Sequence, residues 1–235
     1  SEASCAYSDD GGDTWHFSPS KLAAPVDRVY RGSNYGASEP VAIALRDGWV
    51  WMLLRTPAGR LYESFSRDGT QWTPARPSRF YSSDSPAAFV RLTDGRIVVF
   101  WNNCQNAPNT DGSEPYTNRD VLHAALSDDE GMSWRGYREV YRDPRRNEPP
   151  PKRGDSGTAY PDAAAIRDNQ ILLMTGHSEG RAKMLLIDPD WLMETSAEDH
   201  FADGLERWCV YKGVGPVESY WRDRVAGASL VPHPG

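Results

Sequence analysis

The chain has 235 residues, of which 39% are hydrophobic and 25% charged, and a formal net charge of -7. These values are typical of a globular protein with one or two domains. The acidic balance gives no support for nucleic-acid binding, which requires a basic face, and no apolar run approaches the roughly 18 residues of a membrane helix. Neither the three widely spaced cysteines nor the histidines have the spacing of a metal site.

Short strands are predicted almost throughout. The chain opens in a strand that leads into the segment SDDGGDTW, residues 8–15. A unit of four strands follows, with tight Asp-Gly turns after its first and third strands. Its strands are VAIAL (41–45), WVWMLL (49–54), LYESFS (61–66) and TQWTPA (70–75).

The next two units repeat the same succession of strands and tight turns. A short helical turn is predicted after them, within residues 190–200. Four antiparallel strands in about 60 residues, repeated, are typical of β-propeller blades. A β-sandwich is the alternative all-β fold, but it does not predict one motif at the same place in each unit. The strands of these units are AAFVRL (87–92), RIVVFW (96–101), VLHAALS (121–127) and SWRGYREVY (133–141), and then DAAAI (162–166), QILLMT (170–175) and AKMLLI (182–187).

One motif of serine, aspartate, glycine and tryptophan recurs at the turn between third and fourth strands. Its copies begin at Ser8, Ser66 and Ser127, which are 58 and 61 residues apart. Serine and aspartate side chains can hydrogen-bond local backbone N–H groups, glycine permits a positive φ, and tryptophan fills the gap between neighbouring sheets. The motif is therefore interpreted as part of the scaffold, and a metal site at its aspartates is the less favoured alternative.

The motif resembles the Asp-box, Ser-x-Asp-x-Gly-x-Thr-Trp, or BNR repeat, of the sialidase (neuraminidase) superfamily. Two copies fit the pattern, with Ser133 in place of threonine in the third copy, and the second copy is one residue short. The resemblance covers about residues 4–187. It implies an all-β fold, a sialidase-like six-bladed β-propeller of which this chain carries about three and a half blades.

The two longest connections, residues 102–118 and 143–158, lie on the face opposite the Asp-boxes. Long loops on a rigid scaffold are where binding and catalytic residues concentrate. Polar side chains on that face occupy equivalent positions in successive units. They are Glu39, Ser85 and Tyr160 at the starts of innermost strands, Arg55, Asn102 and His177 at the ends of second strands, and Arg119 just ahead of a third strand.

The order Glu39, Arg55, Arg119, Tyr160 resembles that of the exo-sialidase active site. The resemblance implies a retaining exo-sialidase that removes terminal sialic acid, or a related acidic sugar, from glycoconjugates, with Tyr160 as nucleophile and Glu39 as its base. Arg55 and Arg119 would bind the sugar carboxylate, because guanidinium groups bind carboxylates bidentately. A phenol with an ordinary pKa near 10 is about one part in a thousand ionised at pH 7, so a neighbouring base is required.

Asn102 and His177 are further candidates for substrate contact, and no metal or cofactor is expected. Each site residue alone is compatible with a structural role, so the hypothesis depends on their joint placement. A non-catalytic carbohydrate-binding propeller, or a glycosidase of different sugar specificity on the same scaffold, is the alternative function. The resemblance also implies a secreted, periplasmic or cell-surface location and a sialoglycan or other carbohydrate partner, with no nucleic-acid or membrane partner.

Two parts of the family's site are not present in this chain: the arginine of its Phe/Tyr-Arg-Ile-Pro motif and its aspartate acid/base. We therefore expect residues 1–198 to be the C-terminal part of a propeller whose remaining blades come from upstream sequence or another chain. We also expect residues 1–235 alone to be inactive on an aryl sialoside. Residues 199–235 contain no Asp-box and are similar to the start of a second all-β region, a lectin-like sandwich.

Overall fold

The computed structural model describes residues 1–26, 35–103, 119–146, 157–176 and 182–194. In these residues the protein is all-β, as the strand patterns predicted, with fifteen strands and two short 3-10 turns. Ser1 to Glu194 form one compact unit. The predicted second region, residues 199–235, lies outside the described residues and stays a prediction.

The first four strands form half of a blade. Strand β1 pairs with β4 and β2 pairs with β3, both antiparallel, so two short ladders continue one hairpin around the first Asp-box. This hairpin corresponds to the third and fourth strands of a complete blade, as the sequence predicted. The strands are β1 (Glu2–Ala3), β2 (Ala6–Tyr7), β3 (His16–Phe17) and β4 (Leu22–Ala23).

Two complete four-stranded sheets follow, each antiparallel and in chain order. Their second strands, VWMLL and IVVFW, are apolar without alternation because they are covered on both faces. The first sheet contains β5 (Ser38–Ala44), β6 (Val50–Arg55), β7 (Arg60–Ser66) and β8 (Arg76–Tyr81), and the second contains β9 (Ala88–Arg91), β10 (Ile97–Trp101), β11 (Val121–Ser127) and β12 (Arg135–Arg142).

The last described sheet has three strands, β13 (Asp162–Ala165), β14 (Ile171–Thr175) and β15 (Lys183–Ile187), in that order. A 3-10 turn, Arg167–Asn169, joins its first two strands in place of an Asp-Gly turn. The helical turn predicted within residues 190–200 is a 3-10 turn at Pro189–Met193, and the rest of that stretch from residue 195 lies outside the described residues.

Each pair of consecutive sheets encloses one cluster of buried apolar side chains, which holds the sheets together as blades. Strands β6 and β10 each contribute to two clusters, because alternate side chains point to opposite faces of a strand. Trp51 and Leu53 pack with Val99 and Trp101 between the two complete sheets, Met52 and Leu54 pack against the hairpin, and Val98 and Phe100 pack against the three-stranded sheet.

The Asp-boxes are closed by the hydrogen bonds that their residue types predicted. In the third box, the Ser127 hydroxyl accepts from the Gly131 N–H at 2.8 Å. Asp129 accepts from the Ser133 N–H at 2.8 Å and from its hydroxyl at 2.5 Å. The tryptophan of each box donates its indole N–H to the carbonyl of the residue three positions earlier, a glycine in every copy.

These hydrogen bonds also fix the charge of the box aspartates. Hydrogen bonds from the box Thr or Ser hydroxyl lower the pKa of Asp10 and Asp129 to about 2, and backbone N–H groups do the same for Asp68. Each carboxylate is therefore ionised at neutral pH and accepts hydrogen bonds that close its turn.

The box tryptophans pack against the preceding sheet in two of the three copies. The Trp134 ring centroid lies 6.0 Å from that of Trp51 and 5.3 Å from that of Phe80, and Trp72 packs on the cluster beside the hairpin. Trp15 is 65% exposed, because no described sheet precedes its hairpin. For Trp15, the expectation that a box tryptophan fills a gap between sheets stays a prediction.

Candidate active site

The backbone at Glu39 and Tyr160 is held in the left-handed region, with φ of 42° and 60°. Both residues precede a proline, and residues before proline favour the extended region, so the conformation is unfavourable on two counts. At Glu39 the ladder between β5 and β6 contains a bulge that spans Glu39 and Pro40, where proline has no N–H to donate. Ser38, just before the bulge, pairs with Arg55, which brings the Glu39 side chain beside that arginine.

Arg55 is the centre of a cluster of polar side chains that it forms with Glu39, Asp84 and Tyr160. Its own side chain is only 4% exposed. Its Nη1 donates to Glu39 Oε2 at 2.6 Å and to Tyr160 Oη at 2.9 Å, and its Nε donates to Asp84 Oδ1 at 2.7 Å. Burial alone would lower the pKa of Arg55, but the hydrogen bond and charge of Asp84 outweigh it and raise that pKa. Nη2 forms no hydrogen bond to the described residues, so it is the donor that remains for a ligand.

Tyr160 lies between the Glu39 carboxylate and two guanidinium groups. Its Oη donates to Glu39 Oε1 at 3.4 Å, a long hydrogen bond. The Tyr160 ring centroid is 5.8 Å from Cζ of Arg55 and 5.7 Å from Cζ of Arg119, within the range of cation–π attraction. The Glu39 side chain is 41% exposed. A phenol, a carboxylate open to solvent and two guanidinium groups therefore share one end of the strands.

Arg119 is buried two residues before β11. Its Nε donates to the backbone carbonyl of Asp84 at 3.1 Å, and its Nη2 donates to the same oxygen. The Arg119 carbonyl in turn accepts from the Thr158 N–H at 2.6 Å and from its hydroxyl at 2.9 Å. A Cβ at Gly157 would lie 2.7 Å from the Arg119 carbonyl carbon. The segment that carries Tyr160 is thus fixed against the Arg119 backbone.

Asn102 lies beneath the cluster and does not face it. Its side chain is fully buried. Both Nδ2 hydrogens are used, by the Val121 carbonyl and the Thr158 hydroxyl, each at 2.8 Å, and Oδ1 accepts from Ser85 at 2.7 Å. No amide hydrogen of Asn102 is left for a ligand in this arrangement, and its contact with substrate stays a prediction. His177 lies outside the described residues, and its role stays a prediction.

Asp84 and Tyr35 also belong to the cluster, although neither was predicted from the sequence. Asp84 is buried, and its Oδ1 accepts from Arg55 Nε and from the Tyr35 hydroxyl. Burial, and then the charge of Asp84, raise the pKa of Tyr35, which stays a neutral donor. The position of Asp84 in the sequence could have indicated its place in the cluster. It directly precedes Ser85, which occupies the position equivalent to Glu39 in the next repeat.

The arrangement can bind an anion and move a proton. Nη2 of Arg55 is available to a ligand carboxylate, and Glu39 Oε1 is placed to accept the Tyr160 proton. Within the described ranges, no three His, Cys, Asp or Glu side chains lie close enough together to hold a metal ion. In the same ranges, no helix is long and apolar enough to cross a membrane.

The stacked antiparallel sheets and the Asp-boxes that close their turns define a β-propeller built from Asp-box repeats. Residues 1–186 match the family described as BNR repeat-like domain. The chain belongs to this family. No curated protein matches the chain.

Three solved structures are similar to the chain in fold. The NanB sialidase from Streptococcus pneumoniae is 16% identical, with a TM-score of 0.57, over 80% of this chain and 28% of that protein. A leech intramolecular trans-sialidase is 18% identical, with a TM-score of 0.53, over 80% of this chain and 27% of that protein. The intramolecular trans-sialidase from Ruminococcus gnavus is 17% identical, with a TM-score of 0.53, over 81% of this chain and 39% of that protein. The chain thus spans well under half of each of these proteins, and the likeness concerns the fold alone.

Proposed function

We propose that the cluster around Arg55 is part of the active site of a retaining exo-sialidase-like glycoside hydrolase. Its substrate would be terminal sialic acid, or a related acidic sugar, on a glycoconjugate. The observation that carries the proposal is the meeting of Tyr160 Oη, the Glu39 carboxylate and the Arg55 guanidinium, with contacts of 2.6, 2.9 and 3.4 Å. Sialidases are the retaining glycosidases that use a tyrosine nucleophile in place of a carboxylate.

In this mechanism Tyr160 Oη attacks the anomeric carbon while Glu39 takes its proton. The anomeric carbon of a sialoside carries a carboxylate, and a neutral phenol approaches that anion without the repulsion that a carboxylate nucleophile would meet. The guanidinium groups of Arg55 and Arg119, 5.8 and 5.7 Å from the ring centroid, stabilise negative charge on the phenolate. Arg55, through Nη2, and Arg119 would together hold the substrate carboxylate. The aglycone leaves with a proton from an acid outside these residues, and water then releases the sugar from Tyr160.

Backbone strain supports a functional role for the same two residues. A left-handed conformation at a residue other than glycine costs roughly 1–3 kcal/mol and persists where the surrounding structure enforces it, often at active sites. Glu39 and Tyr160 both have this conformation, with φ of 42° and 60°, and both come immediately before a proline. The conformation directs their side chains toward the same guanidinium group.

One observation favours the alternative, a carbohydrate-binding propeller without catalysis. Glu39 Oε2 lies 2.6 Å from Arg55 Nη1, whereas Oε1 lies 3.4 Å from Tyr160 Oη. The carboxylate therefore contacts the arginine more closely than it contacts the phenol. A cluster held as a salt bridge would bind an acidic sugar and leave its glycosidic bond intact.

The two functions are separated by kinetics in the protein that contains this chain, with an aryl sialoside as substrate. Tyr160→Phe keeps the ring and removes Oη, so kcat should fall by at least about 1,000-fold. Glu39→Gln should lower kcat by roughly 100- to 10,000-fold, the range of general base catalysis. Tyr137→Phe, at a half-exposed tyrosine of β12, is the matched control and should keep wild-type turnover.

Full turnover by Tyr160→Phe would eliminate the hydrolase mechanism. Binding of sialic acid by a wild-type protein that cleaves no sialoside would replace the hydrolase with the binding propeller. A secreted, periplasmic or cell-surface location and a carbohydrate partner belong to the same proposal, as does the supply of the remaining blades from outside these residues.

A further inference from the structure

We infer that Asp84 is the positioning residue for both arginines: its side chain holds Arg55 and its backbone carbonyl holds Arg119. One residue thereby sets the direction of two guanidinium groups toward a carboxylate ligand. This inference rests on the proposed function, because it takes a ligand carboxylate as the target of the arginines. Asp84 itself lies in the segment between β8 and β9.

The side-chain contact fixes the orientation of Arg55. The Asp84 side chain is 1% exposed, and its Oδ1 lies 2.7 Å from Arg55 Nε. A charge-assisted hydrogen bond at Nε holds the last torsions of the arginine, and these torsions determine where Nη1 and Nη2 point. With Nε held in this way, Nη1 reaches Glu39 and Tyr160 and Nη2 is left for a ligand.

The backbone contact fixes Arg119 through the same residue. Arg119 Nε and Nη2 both donate to the Asp84 carbonyl oxygen. Because the Asp84 side chain is anchored by Arg55 and by the Tyr35 hydroxyl, its carbonyl is held in place as well. A change at the Asp84 side chain should therefore be felt by both arginines.

The second carboxylate oxygen of Asp84 is placed unfavourably for stability, which is consistent with a role for this residue in positioning the arginines. Oδ2 is buried and accepts no hydrogen bond from the described residues, and the neighbouring Ser83 Oγ is in the same position. A buried acceptor without a donor costs free energy of folding. Asp84 nevertheless keeps its charge-assisted contact with Arg55 through Oδ1, at 2.7 Å.

The test compares binding of sialic acid with binding of its methyl ester, by calorimetry, in the protein that contains this chain. Asp84→Asn keeps the shape of the side chain and removes its charge. We expect this variant to bind sialic acid about 10- to 100-fold more weakly and the ester within about 2-fold of the wild type. A purely structural role would weaken both ligands equally. Asp143→Asn, at another fully buried aspartate outside the cluster, should leave both affinities unchanged.

A second measurement tests the contact without any ligand. Hydrogen exchange at the Arg55 Nε–H, followed by NMR with 15N-labelled arginine, should accelerate in Asp84→Asn. Tyr35→Phe removes one donor to the same carboxylate and keeps its charge. It should lower sialic acid affinity by about 3- to 10-fold, and it supplies the comparison if Asp84→Asn does not fold.

The outcomes separate this inference from the proposed function. If the wild type neither binds sialic acid nor cleaves a sialoside, the proposed function fails, while accelerated exchange at Arg55 Nε still supports Asp84 as the residue that positions the arginines. Equal weakening of acid and ester binding, or unchanged Arg55 exchange in a folded Asp84→Asn variant, overturns the inference.

Discussion

Replacing Gly157 with alanine should destabilise the protein by about 3 kcal/mol, a large loss for one methyl group. Gly157 has a φ of +82°, and a left-handed backbone costs an L-residue roughly 1–2 kcal/mol. The new Cβ would also lie 2.7 Å from the carbonyl carbon of Arg119 and 2.9 Å from its Cβ. Overpacking costs about 1–3 kcal/mol. The opposing atoms here are the Arg119 carbonyl carbon and the Cβ bonded directly to the backbone, so neither can rotate away.

Urea unfolding followed by tryptophan fluorescence measures the loss, with Gly48→Ala as the matched control. Gly48 has a φ of +86° but no atom within 4 Å of its Cβ position, so it carries only the conformational cost, about 1 kcal/mol. The difference of about 2 kcal/mol isolates the contact with Arg119. Sialic acid binding should weaken in Gly157→Ala and not in Gly48→Ala. Equal unfolding midpoints would refute the tight packing of the Tyr160 segment on the Arg119 backbone.

Glu39→Gly should be more stable in urea than Glu39→Ala by about 1 kcal/mol, because glycine relieves the left-handed φ. At Glu63, in the middle of a strand, the alanine variant should be more stable than the glycine variant. The same order of stability at both sites would contradict backbone strain at Glu39. In residues 1–235 alone, Trp134→Ala should cost about 2–3 kcal/mol, since its ring packs between sheets. Trp15→Ala should cost less than about 1 kcal/mol there, because that ring is 65% exposed. Equal losses would show that box tryptophans do not act through packing. The box aspartates have a folded-state pKa of about 2, below the ordinary 3.8, so their stabilisation is complete above about pH 4 and lost as pH falls toward 2. Acid unfolding monitored by fluorescence should therefore be shallower below pH 4 in Asp129→Asn, and an unchanged slope would exclude the box carboxylates as its cause.

The blades could be predicted from the sequence because their signals are local. Strand alternation, Asp-Gly turns and the box residues each act within a few positions, and their hydrogen bonds form inside one turn. The meeting of Glu39, Arg55 and Tyr160 also followed from position. Glu39 and Tyr160 stand at the starts of innermost strands and Arg55 at the end of a second strand, and propeller topology brings these places to one face.

Other features depend on side-chain direction, which position does not determine. Asn102 stands at the predicted strand end, but its amide turns inward to Ser85 and Thr158. Asp84 reaches Arg55 across the boundary between two blades, a contact between residues 29 positions apart that no periodic pattern encodes. The left-handed backbone at Glu39 runs against the local preference of a residue before proline, so only the tertiary structure could supply it.

A covalent bond between the sugar and Tyr160 Oη is the feature that separates a tyrosine-dependent glycosidase from a binding propeller. The protein that contains this chain would be incubated with a 3-fluorosialosyl fluoride, whose C3 fluorine slows release of the sugar by destabilising the oxocarbenium-like transition state. Peptide mass spectrometry would then locate the adduct. We expect the added mass on the peptide that contains Tyr160, and its loss in Tyr160→Phe. An adduct on a different residue, or sialoside hydrolysis that continues undiminished in Tyr160→Phe without any tyrosine adduct, would contradict the proposed mechanism.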